Sequence, residues 1–313
     1  MDRQSAVRSA QKAASGFPFA LGFKLVLGWR EQQGQGQLPA PKGDLYEALR
    51  SSGFDYFEFS VGPCQAPAEV ALLMREAAAC RGAGLFIALH PYLGLPHNPA
   101  FFGERPEPLA ALESVLAAAG SAGQPGRPVR VVLHPAELSY GDGAADLPAL
   151  RRGLLERSRG FFAAAVERLA GSPSGVRVVV EHQVPPAPRE AVIRIGDTYA
   201  ELLEVVAAVD LGLCWDTGHY LLSVQRRGQD PLPPDAFLRR VELVHLHDVT
   251  SAQWDHQVIR RGSAPLRRYV QLLCQAGFNG GVTLEYSAEA IRSAGSFERV
   301  IADSLDALSA WLR

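Results

Sequence analysis

Six short apolar runs in this chain stop at an imidazole or a carboxylate: Phe86-Ile87-Ala88-Leu89-His90, Val131-Val132-Leu133-His134, Val178-Val179-Val180-Glu181, Leu213-Cys214-Trp215-Asp216, Leu243-Val244-His245 and Val282-Thr283-Leu284-Glu285. Runs this short and this rich in Val, Leu and Ile read as buried strands, and strand ends of a parallel barrel converge on one mouth. The pattern predicts a ring of metal-binding side chains aimed at a single point.

Strand-like runs recur near residues 19–27, 54–60, 84–90, 128–134, 176–181, 211–216, 241–247 and 281–286. Between them, helical periodicity covers 67–82, 107–120, 147–170, 198–209, 265–276 and 296–312, with shorter candidates at 44–51 and 234–240. Thr198-Tyr199-Ala200-Glu201 reads as a capping box. Strand and helix alternating eight times imply right-handed crossovers, and eight is the number at which such a sheet closes. The expected fold is a single-domain (β/α)8 TIM barrel over residues 18–313, preceded by a tail or short helix over residues 1–17. A doubly wound open sheet lacks its Gly-rich phosphate turn here. The Pro-rich piece 184–189 and the Gly/Gln stretch 32–37 follow strands and read as loops over the mouth.

A hydrophobic content of 47% against 20% charged residues suits a soluble chain with a large core, and no segment approaches the roughly 18 uninterrupted apolar residues of a membrane span. The start lacks the apolar stretch of a secretory signal, which points to the cytoplasm. The four cysteines, at 64, 80, 214 and 274, show no CxxC spacing, so neither a disulfide framework nor a thiolate zinc site is indicated. With 31 basic and 33 acidic residues there is no global field to attract nucleic acid or an anionic membrane. The expected partner is a small-molecule substrate, and these numbers are compatible with a homo-oligomer.

The tightest motif is Trp215-Asp216-Thr217-Gly218-His219, in which a strand-end carboxylate is followed three residues later by an imidazole; Gly218 is expected to let the backbone fold His219 back toward Asp216. The structural alternative is Asp216 as a helix N-cap. In Val244-His245-Leu246-His247-Asp248 the two histidines share a strand face; His245 is the expected ligand, with His247 or Asp248 orienting it. Glu181 and Glu285 end their runs with no Lys nearby in sequence, and with Asp216 they would repel one another and take up protons unless a cation compensates them. His90 and His134 are each followed by Pro, which ends the strand and stiffens the turn. His182 is expected to point away from the face that Glu181 occupies, and His97 reads as a loop residue.

Taken together, Glu181, Asp216-Thr217-Gly218-His219, His245-Leu246-His247-Asp248, His256 six residues before Gly262, and Gly280-Gly281-Val282-Thr283-Leu284-Glu285 resemble the xylose isomerase-like TIM barrels, the superfamily of the sugar isomerases and epimerases and of endonuclease IV. In the isomerase and epimerase branch, the resemblance implies that Glu181, Asp216, His245 and Glu285 bind one divalent ion and that the two glutamates carry the proton between substrate carbons. In the endonuclease branch, the resemblance implies that His90, His134, His219 and His256 would join those four around three zinc ions. That branch has Asp two residues before the last of these histidines; here Trp254 stands there, with Asp255 offset by one.

Two enzyme readings follow. One is an isomerase or epimerase of a sugar, sugar phosphate or related hydroxy-carbonyl compound, in which manganese, zinc, cobalt or magnesium (one to three ions) stabilises an enediolate while Glu181 and Glu285 remove and return the proton. Arg260 or Arg261 would hold a phosphate or carboxylate, and Trp29, Tyr92 and Trp215 would wall the pocket. The other is zinc-dependent phosphodiester hydrolysis like that of endonuclease IV, supported by the extra histidines and opposed by the near-zero net charge. A barrel that has lost catalysis is the third class.

Overall fold

The computed structural model describes residues 17–124, 126–141, 146–170, 175–228 and 232–313. The tail or short helix expected over residues 1–17 lies outside them, Phe17 excepted.

Eight parallel strands close into a barrel in the order β1-β10-β9-β8-β6-β4-β3-β2. They are β1 (Ala20–Val26), β2 (Tyr56–Val61), β3 (Phe86–Pro91), β4 (Val129–Leu133), β6 (Val176–Glu181), β8 (Gly212–Asp216), β9 (Val241–Leu246) and β10 (Gly281–Glu285). The outer helices are α1 (Trp29–Gly34), α2 (Leu45–Ser51), α3 (Pro67–Gly82), α4 (Glu107–Ala122), α5 (Leu147–Ala170), α6 (Tyr199–Val205), α7 (Thr217–Arg227), α8 (Asp235–Leu238), α9 (Ala264–Gln275), α10 (Ala288–Ala294) and α11 (Phe297–Trp311). Each expected strand is present within a few residues. Among the helices, α1 and α10 lie outside the expected set, and α7 is the helix that the N-cap alternative for Asp216 implies; α1 takes up the first half of the supposed loop at 32–37, because Trp29 is buried and pins that segment to the core. No helix among the described residues is long and apolar enough to cross a membrane.

Strand alternation sorts side chains to two sides of the wall. Leu21, Phe23 and Leu25 of β1 face outward into the main core under the helices, while Gly22 and Lys24 face the barrel axis. Inside, Tyr56, Ala88, Val132, Val179, Cys214 and Leu243 form an apolar plug. Tyr56 lies across β1 at Gly22, where a Cβ would meet its ring at 2.2 Å, so only glycine leaves room. The Tyr56 hydroxyl is 2.7 Å from Thr283 Oγ1, which donates to Glu58 Oε2 at 2.8 Å. A polar layer thus begins directly on the plug.

Two further strands were not visible in the sequence: β5 (Glu137–Ser139) and β7 (Val192–Arg194), three residues each, pair antiparallel. They tie the loop after β4 to the loop after β6, and Gln183 Nε2 donates to the Pro135 carbonyl at 2.9 Å beneath them. His134 and Glu181 are thereby held at fixed separation.

Candidate metal centre

Barrel register lines up the polar ends of neighbouring strands. Lys24 is the register partner of Glu58 on β2 and of Glu285 on β10, Thr283 that of His245, and Asp216 that of His245. Glu181, Asp216, His245 and Glu285 each offer one ligand atom to a group in which all such atoms lie within 4.8 Å of one another. His245 Nδ1 is 2.8 Å from Glu285 Oε2, 3.2 Å from Glu181 Oε1 and 3.9 Å from Asp216 Oδ2. His90 and His134 point their Nε2 atoms at Glu181 Oε2, at 3.0 and 2.9 Å. His256 Nε2 is 3.1 Å from Glu285 Oε1, and its Nδ1 is 3.0 Å from Asp255 Oδ1. All eight residues expected around the metal therefore gather at one mouth.

Several imidazole protons are located by partners that can only donate or only accept. The His182 carbonyl lies 3.1 Å from His219 Nδ1, so that nitrogen carries hydrogen. The His256 backbone N–H donates to His247 Nδ1 at 2.9 Å, so the His247 proton sits on Nε2, 3.1 Å from Asp216 Oδ1. His247 thus steadies Asp216 rather than His245. Its ring stacks on His256 at 4.2 Å.

Asp216 both caps α7, accepting from the His219 amide at 2.6 Å, and faces the cluster. The helix-cap and ligand readings of this residue are compatible. Gly218 lies inside α7 and serves space rather than chain reversal, since a Cβ there would sit 1.9 Å from the His247 ring. Thr198 caps α6 as expected, but Glu201 does not complete the box; it accepts from Gly196 N and pairs with Arg151.

Two buried residues escaped the sequence reading. Lys24 Nζ lies 2.6 Å from Glu285 Oε1, 3.8 Å from Glu58 Oε1 and in tight contact with His90 Nδ1, so a lysine does stand beside Glu285. Glu58, fully buried, puts Oε1 3.0 Å from His245 Nε2, with the N–H out of line for a good hydrogen bond. The signal was there: each is the lone charge in an otherwise apolar strand, and such residues are seldom buried unpaired.

Burial raises a carboxyl's pKa, but here it is overcome. His90, His245 and His134 hold Glu181 well below the usual carboxylate range; Lys24 and His245 do so for Glu285, and His219 and His247 lower Asp216. Burial resists charge on His245, yet Cys214, Glu58, Glu181 and Glu285 raise its pKa well above the ordinary value. His256 rises to about 10 despite burial, through Asp255 and Glu285. Glu285 Oε2 is buried with no hydrogen-bond partner and faces His245 Nδ1, an arrangement of lone pairs that fits a divalent ion.

The expected substrate contacts divide. Trp29 and Trp215 are fully buried and do not wall the mouth. Trp29 donates to Tyr46 Oη at 3.1 Å in the outer core, and Trp215, next to Asp216 and hence on the opposite strand face, packs among Tyr199, Tyr220, Phe237 and Tyr269. Arg260 and Arg261 line a separate cavity of about 660 Å³ with Asp248, Arg299, Asp303 and Asp306, and Arg261 is paired with Asp306. None of the eight clustered residues lines that cavity. Tyr92 is 66% exposed after β3 and lines a cleft with Leu27, Ser60 and Leu72. His182 points away from Glu181, stacked on Tyr199, and burial lowers its pKa to about 4.

A closed parallel barrel with imidazoles and carboxylates on its strand ends defines the class. Residues 46–311 match the xylose isomerase-like TIM barrel family, and the chain belongs to it. No curated protein matches the chain. Solved structures that share its fold include an L-ribulose 3-epimerase (17% identity, TM-score 0.60, covering 93% of this chain and 92% of that one). A D-psicose 3-epimerase from Clostridium cellulolyticum, solved with D-tagatose, is 15% identical (TM-score 0.59, 93% and 97% covered). A xylose isomerase domain containing protein from Salmonella typhimurium is 13% identical (TM-score 0.58, 95% and 98% covered).

Proposed function

We propose that this chain is a divalent-metal-dependent isomerase or epimerase of a sugar or a related hydroxy-carbonyl compound. The observation that carries the reading is the convergence of Glu181, Asp216, His245 and Glu285 within 4.8 Å. These four residues would hold the ion. When bound, it would polarise neighbouring hydroxyl and carbonyl oxygens and so acidify the intervening C–H.

Glu181 and Glu285 stand on β6 and β10, at the two ends of an arc completed by Asp216 on β8 and His245 on β9. Two carboxylates so disposed can remove a proton from one face of a substrate and return one to the other. His90 and His134 steady Glu181, while Lys24 and His256 steady Glu285, which fixes each carboxylate against rotation. Tyr92 is the expected substrate contact at the rim. The epimerases that share the fold support this assignment.

Incubation with ketoses and ketose phosphates in deuterated water with manganese tests it. Solvent deuterium is expected at the carbon that changes configuration or oxidation level, and both Glu181→Gln and Glu285→Gln should lower kcat about 10²–10⁴-fold. No exchange in any substrate would count against it. A second reading, phosphodiester hydrolysis with zinc, draws support from the additional histidines His134, His219 and His256 that stand at the same mouth. An abasic oligonucleotide left intact in zinc, manganese and cobalt removes its DNA form.

A further inference from the structure

We propose that Lys24 sets how many ions the mouth takes, by fixing His90 as a hydrogen-bond donor and so withholding the His90–His134–Glu181 cluster from a second metal. The inference rests on the reading that Glu181, Asp216, His245 and Glu285 hold one.

The argument is one of donors and acceptors. An ammonium group has three N–H donors and no acceptor. Lys24 Nζ touches His90 Nδ1, so Nδ1 must present its lone pair and the His90 ring proton must sit on Nε2. That Nε2 faces Glu181 Oε2 at 3.0 Å and His134 Nε2 at 3.2 Å. Metal ligation needs a lone pair on the coordinating nitrogen. With Nδ1 committed to Lys24 and Nε2 protonated, His90 has none left to offer.

Lys24 is also held in place. It is buried in β1 between its two register partners, Glu58 and Glu285, and its Nζ lies 2.6 Å from the Glu285 carboxylate. The His90–His134–Glu181 group otherwise meets the distance requirement of an ion site. Lys24 thus converts a geometrically adequate ligand set into a clamp on Glu181 Oε2.

Zinc bound per chain, measured by elemental analysis after saturation and desalting, tests this. In the wild-type chain, His134→Ala should leave the count unchanged. Lys24→Met should add one ion, and His134→Ala placed on top of it should remove that ion again. Any ion held elsewhere contributes equally to each protein and cancels in these differences. The proposal is overturned if His134→Ala lowers the wild-type count by one, or if folded Lys24→Met gains nothing. Should Lys24→Met fail to fold, Lys24→Leu takes its place in the same comparison, and a fall of one in the wild-type count on His134→Ala overturns the proposal by itself. A wild-type chain that retains no zinc overturns both the proposal and the four-ligand reading beneath it, whereas one ion in every variant overturns the proposal only.

Discussion

Replacing Glu58 by Gln isolates the charge behind His245. Glu58 is fully buried, its Oε1 3.0 Å from His245 Nε2 and its Oε2 accepting from Thr283 at 2.8 Å. Gln has the same shape: the amide oxygen can stay beside His245, and the amide N–H can donate to Thr283, whose hydroxyl then turns to Tyr56, 2.7 Å away. The contacts persist as neutral ones and the charge is lost. With the N–H out of line, Glu58 acts on His245 through its charge rather than through a hydrogen bond, so a neutral amide in its place removes that attraction while the shape is kept. Partners behind a metal-bound histidine typically carry about 10–100-fold in affinity, or about 1.4–2.7 kcal/mol. Calorimetric titration with manganese should show Glu58→Gln binding about 10-fold weaker or worse, with its circular dichroism unchanged. Affinity within twofold of wild type would refute the claim that Glu58 orients His245.

Stripping divalent ions should lower Tm, because an ion at 100 times its Kd stabilises the fold by about 2.7 kcal/mol, roughly 5 °C for a chain of this size; a scan with and without chelator that gives the same Tm contradicts the site. His182 has a folded pKa of about 4, below its unfolded value, so the unfolded state binds the extra proton between about pH 6.5 and pH 4 and stability falls as pH drops through that window. His182→Phe, which keeps the stacking on Tyr199, should make urea stability over that range shallower by up to about 1.4 kcal/mol per pH unit; an unchanged slope sinks it. Gly22→Ala should cost about 1–3 kcal/mol by driving a methyl into the Tyr56 ring, read as a lower urea midpoint.

What could be read from the chain alone was local. A two-residue strand period, apolar runs with a polar last residue, and the helical spacers between them gave the barrel and six residues of the expected metal set; His219 came from its spacing to Asp216, and His256 joined the set through the family resemblance. The same period already argues that Trp215, adjacent to Asp216, faces the helices, and the structure bears this out where the pocket-wall expectation fails.

Tertiary structure decided the partners. Lys24 reaches Glu285 across 261 residues of sequence and Glu58 reaches Thr283 across 225, contacts that exist only because β1 closes the barrel between β2 and β10 in one register. The dual duty of Asp216, the role of His247 behind it and the ribbon of β5 and β7 depend likewise on which segments meet in space. Sequence fixes the chemistry each strand end carries; closure of the sheet determines which neighbour neutralises, orients or protonates it, since those interactions fall off over a few ångströms.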